Sequence, residues 1–148
     1  AIVGFVFGFM SMMKNTTTPM ATSFIFSPFI EIGGMSGGWQ SLLITFIPRM
    51  MIGYGSGALF EMLQKTKINE NLNVAISAVV GSLINTVLVM SGIYIFFGEA
   101  YAQVMNISYK ALLTFIMGII TTNGIAEAIV AALLCVAVYK TAKKIVRL

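Results

Sequence analysis

One arginine, Arg49, lies near the middle of an apolar stretch that runs from Trp39 to Leu63. This stretch is long enough to cross a bilayer, because about 20 apolar residues suffice. A guanidinium at the centre of a membrane span costs roughly 2.5–3.5 kcal/mol on insertion scales, and such residues face a polar cavity or a partner. We therefore predict that Arg49 binds the negative charge of a small solute through paired hydrogen bonds.

Three further polar residues interrupt apolar stretches. Asn85 lies in the middle of one, while Asn123 and Glu127 are four residues apart and so share a helix face. Each amide can donate and accept hydrogen bonds, which suits an amide or hydroxyl group of a ligand. Glu127 would balance the charge of Arg49 in an empty site or accept a hydrogen bond from a ligand hydroxyl. Together with Arg49, these residues predict a polar pocket that opens outward and holds a small anion.

A purely structural role for the same four residues is the alternative. Arg49 and Glu127 would then form a buried ion pair between two helices. Asn85 and Asn123 would join helices through hydrogen bonds worth about 0.6 kcal/mol each. The sequence by itself leaves both interpretations open.

The composition identifies the class of protein. Hydrophobic residues make up 58% of the chain and charged residues 9%, whereas soluble domains carry about 25% charged residues. The apolar runs are continuous and do not alternate, so the sequence predicts an all-α membrane protein, a helical bundle. There is no histidine and no aspartate, which argues against His-based catalysis and most transition-metal sites. We expect no enzyme activity, no bound metal and no nucleic-acid partner.

The apolar runs divide the chain into spans and connections within one transmembrane domain, 1–148. Residues 1–13 are too few to cross a bilayer, and we interpret them as the second half of a span whose preceding helices are missing. Segment 14–38 contains prolines and glycine clusters but is too apolar for a solvated loop. We predict that it forms an external lid or pocket wall. Gly4-x-x-x-Gly8 permits close helix packing, within the bundle or with a partner protein.

The later spans are predicted at 39–63 and 73–97, with a connection at 98–108. The polar stretch Thr121-Thr-Asn-Gly124 interrupts the last apolar run. We therefore predict a helix at 109–120 that lies partly in the membrane, followed by a span at about 123–141. One long tilted helix over 109–141 is the alternative.

The basic residues predict the orientation in the membrane. Six of them lie in one loop and in the C-terminal tail: Lys65, Lys67, Lys140, Lys143, Lys144 and Arg147. The other connections carry only Lys14 and Lys110. Cytoplasmic segments are enriched in lysine and arginine, so the tail at 140–148 is predicted to be cytoplasmic.

Several short motifs in order resemble one known family. They include Gly4-Phe-Val-Phe-Gly-Phe-Met, Asn15-Thr, Ser23-Phe-Ile-Phe-Ser-Pro-Phe, Pro48-Arg49, Gly81-Ser-Leu-Ile-Asn-Thr and Asn123-Gly-Ile-Ala-Glu-Ala. The chain resembles the substrate-binding S-components of energy-coupling-factor (ECF) vitamin transporters, most closely the pantothenate-specific type. The resemblance adds Asn15 and Phe26 to the predicted substrate-binding residues.

The resemblance also implies an architecture and partners. It implies six transmembrane helices in the bacterial cell membrane, of which this chain would hold part of the third through the sixth. It further implies a membrane scaffold subunit and two cytoplasmic ATPases, so that ATP is used by partners and no cofactor is expected in this chain. Pantothenate carries a carboxylate, an amide and two hydroxyls, which suits Arg49, Asn85 and Asn123. A self-contained secondary transporter or channel for a small anion is the competing interpretation.

Overall fold

The computed structural model describes residues 2–146, which form four α-helices. These are α1 (Ile2–Thr17), α2 (Trp39–Gln64), α3 (Glu70–Val104) and α4 (Tyr109–Val146). Among the described residues, α2, α3 and α4 are long and apolar enough to cross a membrane. The helical membrane class is thus confirmed, while the total of six helices stays a prediction. Arg147, part of the predicted tail, lies outside the described residues.

The helices pack as antiparallel neighbours in chain order, α1 on α2, α2 on α3 and α3 on α4. Glycines show the register, because Gly4 lies beside Arg49 whereas Gly8, further along α1, lies beside Thr45. In the same way Gly81 lies beside Ser56. Both glycines of the Gly4-x-x-x-Gly8 pattern are buried, so this pattern makes a contact inside the bundle, as small residues do in membrane helices.

The segment between α1 and α2 folds onto one end of the bundle. Phe24 and Ile25, in a short 3-10 helix (Ser23–Ile25), are fully buried. The Phe24 ring packs edge-on against Phe97, with ring centroids 5.7 Å apart. Two hydroxyls of α2 donate to this segment, Ser41 to the Phe24 carbonyl at 2.7 Å and Thr45 to the Phe26 carbonyl at 2.8 Å. That this end faces the outside of the cell stays a prediction.

A two-stranded antiparallel ladder, β1 (Glu31–Ile32) and β2 (Met35–Ser36), completes this segment. Gly33 and Gly34 join the strands, both at positive φ. Tight hairpin turns need this backbone geometry, which glycine adopts without steric cost. The first glycines of this segment, Gly33 and Gly34, therefore form the turn of a hairpin.

The predicted connection at 98–108 is wrong over most of its length, because α3 continues to Val104. The helix is distorted at Phe97 (φ −130°, ψ 18°) and then resumes. Tyr101 and Ala102 beyond this point are buried in the main core. Packing of these two side chains thus outweighs the local polar character of the sequence.

The predicted break at 121–124 is also wrong, and the alternative of a single helix is what the structure shows. α4 runs without interruption from Tyr109 to Val146. The hydroxyls of Thr121 and Thr122 donate to backbone carbonyls one turn earlier, at 2.8–3.0 Å. Gly124 is buried against Thr86 of α3. The two threonine hydroxyls are therefore satisfied within the helix, and the glycine provides room for a neighbour.

Candidate functional site

The antiparallel register brings four predicted residues to about the same level of the bundle. Arg49 lies on α2, Asn85 on α3, and Asn123 and Glu127 on α4. The Thr86 hydroxyl, next to Asn85, donates to Oε2 of Glu127 at 3.0 Å and joins α3 to α4 at this level. The structure thus collects polar groups from three helices in one layer of the bundle.

Arg49 is held by its surroundings but only partly satisfied. Its Nη1 donates to the Ile44 carbonyl at 3.0 Å. Its guanidinium carbon lies 5.4 Å from the ring centre of Phe26 and 5.9 Å from that of Phe7, a geometry in which aromatic faces attract a cation. Its Nε is buried and has no hydrogen-bond partner among the described residues. The guanidinium is therefore oriented and keeps donor capacity for another group.

Pro48 explains why the Ile44 carbonyl is available to Arg49. In an α-helix this carbonyl would accept from the backbone N–H of residue 48, but proline has none. Ile44 is buried, and an unpaired buried acceptor costs about 1–3 kcal/mol. Arg49, the next residue along the chain, supplies the missing donor. Pro48 and Arg49 together thus direct the guanidinium back along α2, toward residues 18–38, the segment between α1 and α2.

Asn85 contributes the second unsatisfied atom. Its Oδ1 is buried and has no hydrogen-bond partner among residues 2–146. Buried amide oxygens in folded proteins are nearly always paired, so such an atom calls for an explanation. An orphaned donor on α2 and an orphaned acceptor on α3 match the two hydrogen-bonding functions that an anionic ligand with a hydroxyl or amide would provide.

The α4 side of this layer is open. Asn123 and Glu127 are both exposed in the described part of the chain. Arg49 and Glu127 attract each other electrostatically, yet they form no salt bridge; the ion pair found within residues 2–146 joins Lys143 to Glu70. Five of the cavities formed by residues 2–146 measure 370–870 Å³, and none of the six predicted residues lines these five. The layer is therefore open on its α4 side, and its role in binding a ligand stays a prediction.

Asn15 and Phe26 have different surroundings. The Asn15 amide donates to the Ser11 carbonyl at 2.9 Å, and its oxygen accepts from the Ser23 hydroxyl at 2.9 Å. Asn15 thus fastens the 3-10 helix to α1. Phe26 is half-buried beside Arg49. A binding role for either residue stays a prediction, and the structure gives Asn15 a structural task.

Three residues of this layer were not predicted from the sequence. Phe7 reaches Arg49 from α1, Thr86 binds Glu127, and Pro48 frees the carbonyl that holds Arg49. The role of Pro48 could have been predicted from the sequence, because a proline inside a helix leaves the carbonyl four residues earlier, here that of Ile44, without its usual donor. That of Phe7 could not, because its proximity depends on the packing of α1 on α2.

Replacing Pro48 with alanine should release Arg49. Residue 48 would regain an N–H that competes for the Ile44 carbonyl. We expect the affinity for a carboxylated ligand to fall roughly 2- to 10-fold, the loss expected for one hydrogen bond, while the thermal unfolding temperature stays the same or rises. Calorimetry and thermal unfolding of the purified protein would measure both. In an Arg49→Lys background the same change should have little further effect, and an equal loss there would contradict this role of Pro48.

The sequence matches the family of substrate-specific components of ECF transporters over residues 1–139. The chain belongs to this family. The family resemblance noted from its motifs is thus confirmed.

A curated relative of this ECF component is the pantothenic acid transporter PanT of Lactococcus lactis subsp. cremoris (strain MG1363). The two sequences are 34% identical over 140 residues, which cover 93% of this chain and 65% of the relative. The chain therefore spans less than two thirds of the length of that relative. No solved structure shows significant similarity to the present chain.

Proposed function

We propose that this chain forms the substrate-capturing part of an ATP-driven vitamin importer and binds a small carboxylated vitamin, pantothenate, in an outward-facing pocket. The observation that carries the proposal is the pair of unsatisfied buried atoms, Nε of Arg49 and Oδ1 of Asn85. Arg49 would bind the carboxylate through its remaining donors. Asn85 would accept a hydrogen bond from a hydroxyl or amide, with Asn123 and Glu127 available on the open side.

Two further observations support a binding role over a structural one. Arg49 and Glu127 are not joined as the ion pair that a structural role requires. Neither Asn85 nor Asn123 makes an interhelical hydrogen bond among the described residues. The Asn85 oxygen has no partner, and the Asn123 oxygen accepts from its neighbour Thr122 on the same helix at 3.5 Å. Polar groups that bind helices together would be paired in the ligand-free state.

The partners in this proposal follow from the family. A membrane scaffold subunit and two cytoplasmic ATPases would drive import, so ATP would be used outside this chain. The protein would reside in the bacterial cell membrane with its C-terminus in the cytoplasm, where Lys140, Lys143 and Lys144 would lie according to the distribution of basic residues.

Calorimetry with pantothenate and with pantothenol tests the ligand. The two compounds differ in that pantothenol has a hydroxyl where pantothenate has the carboxylate. We expect pantothenate to bind and pantothenol to bind at least about 10-fold more weakly, because the charged hydrogen bonds to Arg49 would be lost. Equal binding of both would exclude recognition of the carboxylate. Uptake into proteoliposomes by the protein without scaffold and ATPases would overturn the importer and indicate a self-contained transporter.

Asn85→Ala separates binding from folding. Removing a buried oxygen that has no partner should leave the unfolding temperature of the ligand-free protein unchanged or slightly higher. The same change should weaken pantothenate binding about 5- to 10-fold, because one hydrogen bond to the ligand is lost. Thermal unfolding with and without pantothenate measures both effects. Loss of detergent-stable protein would instead favour the structural role of Asn85.

A further inference from the structure

The end of the bundle opposite the 18–38 segment contains a polar cavity of about 870 Å³. It lies between the α2–α3 connection and the last turns of α4. Its lining includes four lysines: Lys67, Lys140, Lys143 and Lys144. The proposed vitamin site is at the level of Arg49, far from this cavity, so a ligand in the cavity would be independent of the vitamin.

The positive charge in this cavity is largely uncompensated. Lys143 forms an ion pair with Glu70, which also accepts from the Tyr139 hydroxyl at 3.4 Å. The side-chain amines of the other three lysines make no hydrogen bond or ion pair with any residue that the structure describes. The N-terminus of α3 also opens here, where its partial positive charge favours an anion. The cavity is therefore suited to a group of high negative charge, such as a phosphate.

An apolar groove of about 600 Å³ adjoins the polar cavity at Tyr139 and is lined by residues of α2, α3 and α4. Gly53, Gly57 and Ala78 leave it open, and Phe60, Leu134 and Val138 give it an apolar wall. Its two serines are already satisfied, Ser56 by its own helix and Ser77 by Asn73. The groove thus offers space for an unbranched alkyl chain and no free polar group.

Tyr139 lines both the polar cavity and the apolar groove. Its hydroxyl faces Glu70 on the polar side, and its ring packs against Phe60 with centroids 6.3 Å apart. Tyrosine is enriched where membrane proteins cross the interface between lipid and water. Tyr139 at the junction of the two spaces is thus of the residue type expected at a boundary between headgroups and acyl chains.

We propose that this end of the protein is a binding site for an anionic phospholipid. Lys67, Lys140 and Lys144 bind the phosphate of the headgroup, and one acyl chain lies in the groove beside Gly57. Charge complementarity selects the headgroup, since basic pockets between transmembrane helices bind anionic lipids. The apolar groove, which adjoins the lysine-lined cavity at Tyr139, selects a lipid over a free anion.

Cys135 provides a reporter, because it lines the groove, is exposed and is the single cysteine of the chain. The rate of its alkylation by N-ethylmaleimide would be measured in detergent with added phosphatidylglycerol or phosphatidylcholine. We expect phosphatidylglycerol to protect Cys135 at about 10-fold lower concentration than phosphatidylcholine, because three lysines attract its net negative charge. This preference should shrink as salt is added, a test that needs no variant.

Matched variants assign the two halves of the site. Substituting glutamine for Lys67, Lys140 and Lys144 together should abolish the preference for phosphatidylglycerol, whereas Lys110→Gln at the opposite end should retain it. Gly57→Leu should fill the groove and, with all lysines present, abolish retention of phosphatidylglycerol in native mass spectrometry. Equal protection by both lipids, or an unchanged preference in the triple variant, would overturn the proposal. Displacement of phosphatidylglycerol by millimolar inorganic phosphate would overturn it in favour of a soluble anion.

A protein helix is the other occupant that the groove would admit. Two results together would identify the groove as a protein interface and exclude the lipid site. The scaffold subunit would protect Cys135 equally in the triple glutamine variant and in the unchanged protein, and phosphatidylglycerol would give no protection.

Discussion

Arg49→Ala is expected to weaken binding of pantothenate by roughly 2–5 kcal/mol, the loss typical when one partner of a buried charge pair is removed. The structure gives the reason, since the guanidinium is already oriented by the Ile44 carbonyl and by the rings of Phe7 and Phe26. Little of its side-chain freedom remains to be lost on binding. Calorimetry of the purified protein, with thermal unfolding in parallel, would measure the loss at unchanged fold.

Two control variants sharpen this test. Arg49→Lys keeps the charge but loses the planar pair of donors, so it should retain part of the affinity. Lys65→Ala removes a charge at the other end of the bundle and should leave the affinity unchanged. If Arg49→Ala binds pantothenate as tightly as the unchanged protein, Arg49 does not belong to the binding site.

Gly4→Ala is expected to disturb the packing of α1 on α2 more than a methyl group added at Gly8. A Cβ at Gly4 would overlap the Arg49 carbonyl and approach the Cα of Met50 to 2.9 Å. Both are backbone atoms, which cannot move aside as a flexible side chain can. We expect a loss of about 1–3 kcal/mol of stability, typical of overpacking, and a shift of Phe7 away from Arg49.

Thermal unfolding in detergent would measure this loss. Gly118→Ala is the matched control, since a Cβ there meets nothing within 4 Å. It should be neutral or slightly stabilising, because alanine is the better helix former. Gly8→Ala should cost less than Gly4→Ala, because one of its nearest atoms belongs to the side chain of Phe46, at 3.0 Å. Equal stability of Gly4→Ala and Gly118→Ala would contradict the close contact of α1 with α2.

Long apolar runs were the part of the fold that the sequence predicted well. The span at 39–63 differs from α2 (Trp39–Gln64) by one residue, because the glycine pair at 37–38 and the polar turn after Leu63 mark its ends. The ends of α3 and the middle of α4 were predicted wrongly. In these regions, contacts with residues distant in sequence determine whether the helix continues. Examples are the burial of Tyr101 in the core and the packing of Gly124 against Thr86.

The candidate site was predictable in its residue types but not in its hydrogen bonding. A lone arginine and two asparagines in apolar runs are conspicuous because charged and amide groups are costly in a membrane. Whether their atoms are paired depends on the register of three helices, which no local pattern encodes. The orphaned Oδ1 of Asn85 and the engaged amide of Asn15 could not be distinguished from the sequence.

The unbroken course of α4 has a mechanical consequence. The helix has 38 residues and a length of about 57 Å at 1.5 Å per residue, well beyond the roughly 30 Å of a hydrocarbon core. It contains no proline, so Asn123 and Lys143 lie on one continuous, rigid helix. If a bound lipid tilted the lysine-bearing end of α4, the residues that face Arg49 on the same helix would tilt with it. The two ends of α4 would then move together.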